Sequence, residues 1–371
     1  MFLVKTERNK LLTPLQSVSG IVEKRHTLPI LSNVLLEKRG DTLTFLATDS
    51  EIQIMTFVDI VPGDGEDGAM TVGARKFQDI LRSLPEESEI NLNLDAARLQ
   101  VRAGKSRFTL QTLPSEDFPR MLSSEEGFER FTVTQGQFKH LLNQTQFAMA
   151  AQDVRYYLNG LLLIIGDGEI RAVATDGHRL AYASMPVGGE QEPSRQELII
   201  PRKTILELNR LLSDNEEPLL VELATNQVRF QFGKINLISK LIDGKFPDYE
   251  RVVPATLKNT LSLDRVLFYH SMLRASILTN EKFRGVRLLL SSGSLKITAA
   301  NAEQEEAQEE LEVAYEGDSL DVGFNVTYLL DILNNTTAER INWGFNDANS
   351  SALLTIPDND RFKYVVMPMR I

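Results

Sequence analysis

The sequence contains no cysteine. Disulfides, thiolate metal sites and cysteine nucleophiles are excluded, and the chain suits a reducing compartment. Histidine is scarce: His26, His140, His178 and His270 are the four in 371 residues. None lies at a short spacing from another, so no His-x-x-x-His metal motif is present. Apolar runs such as Leu161 to Ile165 are far too short to span a bilayer. The opening segment MFLVKTERNKLL carries charge early and predicts no signal peptide. The Asn-x-Thr/Ser matches at Asn143 and Asn325 are therefore read as chance. Positive charge is in deficit, with a net charge of −11. A simple nucleic-acid binder is usually basic, because its affinity comes from neutralising phosphates. Any role on DNA must then rest on local basic patches or on geometry.

Enzyme signatures are missing as well. There is no phosphate loop ending in Gly-Lys-Ser/Thr and no nucleophile elbow. GDGEDG, Gly63 to Gly68, formally matches Gly-x-Gly-x-x-Gly. Its three acids would repel a pyrophosphate, and the AMTV that follows reads as a strand rather than a helix. It is an acidic loop.

What the chain does contain is an internal repeat. FLVKTERNKLLTPLQSVSGIV begins at Phe2, FTVTQGQFKHLLNQTQFAMA at Phe131 and LSLDRVLFYHSMLRASILTN at Leu261. Each is a short alternating strand followed by apolar residues at helical spacing, as in Phe138, Leu141, Leu142 and Thr145. LTFLATDSEIQIM, IRAVATDGHRLAY and LKITAANAEQEEA then match in the same order, and so do second helices opening at Arg75, Arg202 and Asn325. Two repeats close on Phe-Pro, at Phe118-Pro119 and Phe246-Pro247. Each repeat reads as strand, helix, strands, helix, strands, and looks internally doubled. Turns at Arg39-Gly40-Asp41, Gly166-Asp167-Gly168 and Ser291-Ser292-Gly293 imply antiparallel hairpins. The fold class is therefore α+β, with three repeated domains of two helices on antiparallel sheet. The expected boundaries are 1–125, 126–254 and 255–371, with linkers near Leu122–Arg130 and Val252–Asn259.

The stretch VATDGHRLA, Val173 to Ala181, places Asp176, His178 and Arg179 close together and looks catalytic. Its counterparts are LATDSEIQI and ITAANAEQE, which lack His and Arg. Thr-Asp thus closes a structural hairpin, and Asp176 reads as a turn former rather than a general base. His178 and Arg179 decorate one copy of a repeated scaffold, which points to a binding site. Two other readings stay open: a DNA-modifying or DNA-cleaving enzyme using Asp176 and His178, and a peptide-binding scaffold without DNA. Basic residues cluster around the first helix (Lys5, Arg8, Lys10, Lys24, Arg25) and at the second-helix openings Arg75-Lys76 and Arg202-Lys203. QDVRYY, Gln152 to Tyr157, joins a cation to two tyrosines, a grouping suited to phosphates and stacked bases. Against these stands the acidic run Asn301 to Glu312.

TLPILSN, QDVRYYLNG, VATDGHRLA, SKLIDGKFPDYERV, NEKFRGVRL and the terminal YVVMPMRI, on three repeats of this length, resemble the bacterial sliding clamp family, the beta subunits of DNA polymerase III. The resemblance covers the whole chain. The loop GDGEDGAM and the segment around DNDRFK depart from it. It implies a non-enzymatic processivity factor without cofactor or metal, cytoplasmic and nucleoid-associated. Six domains from two chains would form a head-to-tail homodimeric ring, helices inside, around double-stranded DNA. An acidic protein can hold DNA this way because the linkage is topological.

The resemblance also implies roles for residues. Arg25, Arg75, Gln152, Tyr156, Tyr157 and Lys203 would face DNA. Lys76, Arg98, Lys105 and Arg107 would meet Glu303, Glu305 and Glu306 across the subunit interface, with Phe108, Ile277 and Leu278 as its apolar centre. A pocket for short peptides from polymerase subunits, the clamp loader and repair proteins would be lined by Thr175, Gly177, His178, Arg179 and Leu180. Leu158, Pro247, Arg251 and Val252 would join them, with Val365, Val366, Met367, Pro368, Met369 and Arg370 from the terminus. Pro368 has no N–H for a ladder, so strand pairing is expected to stop near Met367 and leave the last residues free to line a groove. The pocket's His and Arg are expected to orient ligands at the rim.

Overall fold

The computed structural model describes residues 3–23, 28–60, 66–121, 129–187 and 195–370. Arg25, residues 63–65 of the acidic loop and most of the first expected linker lie outside them. The chain divides into two compact units, Met1–Gly136 with Leu206–Leu241, and Gln137–Ile205 with Ile242–Ile371. The division passes through the middle repeat.

The first unit begins with β1 (Leu3–Glu7), α1 (Arg8–Val18), β2 (Asn33–Arg39), β3 (Thr42–Thr48) and β4 (Ile52–Asp59). The same order then recurs as β5 (Gly68–Gly73), α2 (Ala74–Ser83), β6 (Glu89–Asp95), β7 (Arg98–Ala103) and β8 (Ser106–Leu113). The two halves exchange their first strands: β1 pairs antiparallel with β6, and β5 with β2. β9 (Glu129–Thr134) of the middle repeat pairs with β14 (Pro218–Leu223), which continues into β15 (Gln227–Phe232) and β16 (Ile235–Lys240). β16 joins β4, so the unit carries one continuous 12-stranded sheet.

Middle-repeat elements α3 (Gln135–Asn143), β10 (Gly160–Gly166), β11 (Glu169–Thr175), β12 (Arg179–Pro186), β13 (Gln196–Pro201) and α4 (Arg202–Leu211) lie between β9 and β14. The last repeat runs β17 (Asn259–Asp264), α5 (Arg265–Ser276), β18 (Gly285–Ser291), β19 (Ser294–Ala300), β20 (Glu306–Glu312) and β21 (Leu320–Asn325). It ends with α6 (Val326–Asn334), β22 (Arg340–Phe345), β23 (Ala352–Ile356) and β24 (Asn359–Val366). The exchange of first strands recurs: β13 pairs β10, β17 pairs β22, and β21 pairs β18. In the second unit β24 joins β12 in an eight-stranded sheet, and β18–β21 form a four-stranded one.

Local chemistry accounts for these elements. The hairpins β2–β3, β10–β11 and β18–β19 turn at the three expected sites. Asp167 and Gly168, both at positive φ, make the two-residue β10–β11 connection, the backbone that matches strand twist. β10, GLLLIIG, is buried along its whole length. Phe138, Leu141, Leu142 and Thr145 are all buried, as their helical spacing requires. His140 and His270 are exposed.

Candidate functional site

The hairpin between β11 and β12 is built by its threonine and aspartate. Thr175 Oγ1 donates to the carbonyl of Arg179, and the amides of His178 and Arg179 donate to Asp176 Oδ1 at 2.9 and 3.1 Å. The first repeat makes the same turn: Thr48 Oγ1 donates to Ile52 O, and the amides of Glu51 and Ile52 donate to Asp49 Oδ1. In the third, Asn301 Oδ1 accepts from the amides of Glu303 and Glu305. Asp176 is thus occupied as a turn former.

Behind this hairpin lies the loop 153–159. Asn159 closes it, accepting from the Asp153 amide and donating to the Asp153 carbonyl. Arg155 pairs with Asp153 through Nε and Nη2 and reaches the Asp176 carbonyl at 3.2 Å. The hydrogen bond from Arg155 is the main reason the Asp153 carboxyl is lowered to about 2. This guanidinium lies against Gly177, whose φ is +89° and whose missing Cβ would stand 2.9 Å from Arg155 Nη2. Glycine here meets two demands, a left-handed backbone and a close approach. Gly177→Ala should therefore cost roughly 1–2 kcal/mol of stability, read by chemical denaturation. An unchanged midpoint would show that Arg155 shifts freely.

The C-terminal strand supplies the opposite wall. Leu180 stands beside Val365 in the β12–β24 ladder, and the Met367 amide donates to the His178 carbonyl at 2.9 Å. β24 ends at Val366, just before Met367 and Pro368. The result is a cavity of about 170 Å³, close to the ~150 Å³ that holds one benzene ring. Its floor is the buried set Leu158, Leu180 and Val365, and its rim includes the exposed Val252 and Met367. Thr175, Gly177, His178, Arg179 and Pro247 complete the expected set that the structure brings together.

Other expected residues do not line this cavity. Val366 is fully buried on the alternate face of β24. Met369 is not left free: its amide donates to Gly323 O at 2.8 Å, tying the tail to β21. Pro368 and Arg370 flank it outside the lining. Arg251 is largely exposed and pairs with Asp248 at 2.7 Å. Arg179 departs from the rim role: its side chain is only 10 % exposed and its guanidinium turns inward. Two lining residues escape the sequence reading, Arg155 and Tyr249. The sequence groups Arg155 with the tyrosines as a phosphate-seeking cation, yet Asp153 holds it. Tyr249 stacks on Tyr182 at 6.0 Å, a contact without a local signature.

Residues 2–122, 132–248 and 250–370 match in turn the N-terminal, central and C-terminal domains of the DNA polymerase III beta subunit. The beta sliding clamp of Pseudomonas putida is 50 % identical over 367 residues, covering 98 % of this chain and 99 % of that protein. The crystal structure of the DNA polymerase III subunit beta from Pseudomonas aeruginosa superposes with a TM-score of 0.94 at 46 % identity, each chain covered completely. A second Pseudomonas aeruginosa sliding clamp structure, bound to griselimycin, gives 0.92 at 47 % identity, covering 100 % of this chain and 99 % of that one.

The chain belongs to the DNA polymerase III beta subunit family. That family is one of non-enzymatic processivity clamps in replication.

Two further surfaces of the chain bear on the family role. Arg75 and Lys76 are exposed in the first turn of α2, and Lys203 is half-buried in the first turn of α4. Gln152 is exposed at φ +60°. Tyr156 is exposed and packs edge-on to the half-buried Tyr157 at 5.8 Å. In the first unit, among the described residues, β8 pairs with β5 only at Leu113 and Thr112, leaving its edge from Ser106 to Gln111 unpaired on that side. Lys105 and Arg107 are exposed there, Phe108 is half-buried, and Arg98 is exposed on neighbouring β7. In the second unit β20 is the outermost strand of its sheet, with Glu303, Glu305 and Glu306 exposed at its start. Ile277, just past α5, is 74 % exposed, and Leu278 is half-buried.

Proposed function

We propose that this chain works as a DNA sliding clamp of three domains, 1–125, 126–254 and 255–371. Two copies close head to tail around duplex DNA, and partner proteins are tethered by short peptides seated in the hairpin pocket. The strand-joining rule carries this reading. β4, the last strand of the first half of repeat one, joins β16, the last strand of the second half of repeat two. β12 joins β24 by the same relation between repeats two and three. One strand of each kind is left over, β20 and β8. Joining β20 of one copy to β8 of the next repeats the relation and covers two open edges. It also brings an acidic strand to a basic one. Such a heterologous contact closes after two steps.

The pocket supports the tethering role. Its floor is apolar, it has room for about one large side chain, and a methionine stands at its rim. Arg75, Gln152, Tyr156, Tyr157 and Lys203 are assigned to passing contacts with DNA, Tyr156 offering the most open ring. Few cations suffice, since strong phosphate binding would impede sliding. Among the described residues no helix is long and apolar enough to cross a membrane, and the proposed location is cytoplasmic, at the nucleoid. The test is to load the protein onto nicked circular DNA with a clamp loader and then linearise the circle. Release on linearisation is expected; retention on the linear product would show ordinary binding instead of a topological link.

A further inference from the structure

Arg179 occupies a place that the first repeat gives to Ile52, which is 1 % exposed. By the strand register, in which Pro201 of β13 faces Gly160 and Asn325 of β21 faces Gly285, Asp331 on α6 stands where the middle repeat has Glu207. Every donor nitrogen of Arg179 is used: Nε donates to Asp176 Oδ2 at 3.1 Å, Nη1 to Asp331 Oδ2, and Nη2 to the carbonyl of Phe147 at 2.5 Å. The Tyr328 ring, also on α6, lies 4.5 Å from the guanidinium carbon. The Arg179 side chain is 10 % exposed and Asp331 is 31 % exposed, so without the Asp331 carboxylate the Nη1 arm of a mostly buried guanidinium loses its acceptor and must find water. The opening nearest to Arg179 is the cavity it already lines.

From this we infer that Asp331, which does not line the cavity, is a positioning residue: it holds the Arg179 guanidinium inward, keeping the peptide pocket open and the His178 hairpin in register with Met367. The inference rests on the peptide reading of the pocket. Without Asp331 the guanidinium swings outward, fills part of the cavity and loosens the hairpin that carries the His178 carbonyl.

The test uses the full chain and a fluorescent peptide containing glutamine, leucine and phenylalanine. Asp331→Asn should weaken binding roughly tenfold. Asp321→Asn, which breaks the exposed pair with Arg287, should leave binding unchanged. Asp331→Glu keeps the carboxylate and should retain most of the affinity lost in Asp331→Asn, a rescue that a general loss of stability would not give. Amide hydrogen exchange supplies an arm that needs no peptide: exchange at Met367 should quicken in Asp331→Asn, while exchange at Ile52 in the first-repeat hairpin stays as in the wild type. Wild-type affinity in Asp331→Asn, or unchanged exchange at Met367, would overturn the inference. No peptide binding by the wild type would sink the peptide reading alone, and the exchange result would still decide whether Asp331 positions the hairpin.

Discussion

Replacing Ile277 by Ala and Leu278 by Asp should convert the proposed dimer to monomers in sedimentation at micromolar concentration. Ile277, just past α5, has 74 % of its surface in water, so a partner covering it would remove most of its apolar area from solvent. Burying one such side chain is worth about 1.5–3 kcal/mol. Both side chains would lose that contribution, and the carboxylate introduced in place of Leu278 would have to be desolvated beside an already acidic strand. A combined loss of about 4–6 kcal/mol weakens association by roughly three to four powers of ten. The proposed ionic contacts of Lys105 and Arg107 with the Glu303–Glu306 segment would sit at an exposed rim, where such pairs contribute little. Raising salt alone should therefore weaken the dimer far less than the double substitution. A dimer that survives Ile277→Ala with Leu278→Asp would remove this interface.

The repeat, the helices and the hairpin tips were legible because each rests on local chemistry. Thr-Asp in two repeats and Asn301 alone in the third turn the chain through side-chain hydrogen bonds. The helical spacing of Phe138, Leu141 and Leu142 is a local pattern as well. The exchange of first strands between half-repeats was not legible. β1 must pass its own neighbours to reach β6, and no residue in LVKTE says so. The site divides along the same line. Gly177 and His178 are visible as repeat-specific departures, whereas the apolar floor comes only through the family resemblance. Arg155 and Tyr249 enter through tertiary contacts with the Asp176 carbonyl and Tyr182. Arg179 was legible as a decoration but not in its direction. A charged residue next to an exposed histidine reads as a rim residue until Asp331 and Tyr328 are seen to take it inward.

Deleting Met367 to Ile371 should abolish peptide binding while leaving the dimer and its retention on circular DNA intact. The deletion removes the bond from the Met367 amide to His178 O and the bond from the Met369 amide to Gly323 O. Each is a backbone hydrogen bond worth about 0.5–1.5 kcal/mol net. Met367 is also the wall that stands 43 % exposed over the apolar floor. Its loss turns a half-open cavity into an open shelf, where an aromatic side chain would bury only one face. A drop of at least roughly a hundredfold in peptide affinity follows from losing about 3 kcal/mol of side-chain burial. The rest of the assembly has no share in that loss. β24 ends at Val366 and keeps its pairing with β12 and β23, because the ladder needs none of the deleted residues. β20 pairs with β19, and β8 with β7 and β5, so neither proposed dimer edge leans on the tail. Fluorescence anisotropy with the labelled peptide, paired with sedimentation of the same sample, separates the two effects. Affinity that survives the truncation would place the peptide elsewhere. A truncated chain that sediments as a monomer would make the tail part of the interface and break the separation between tethering and ring closure.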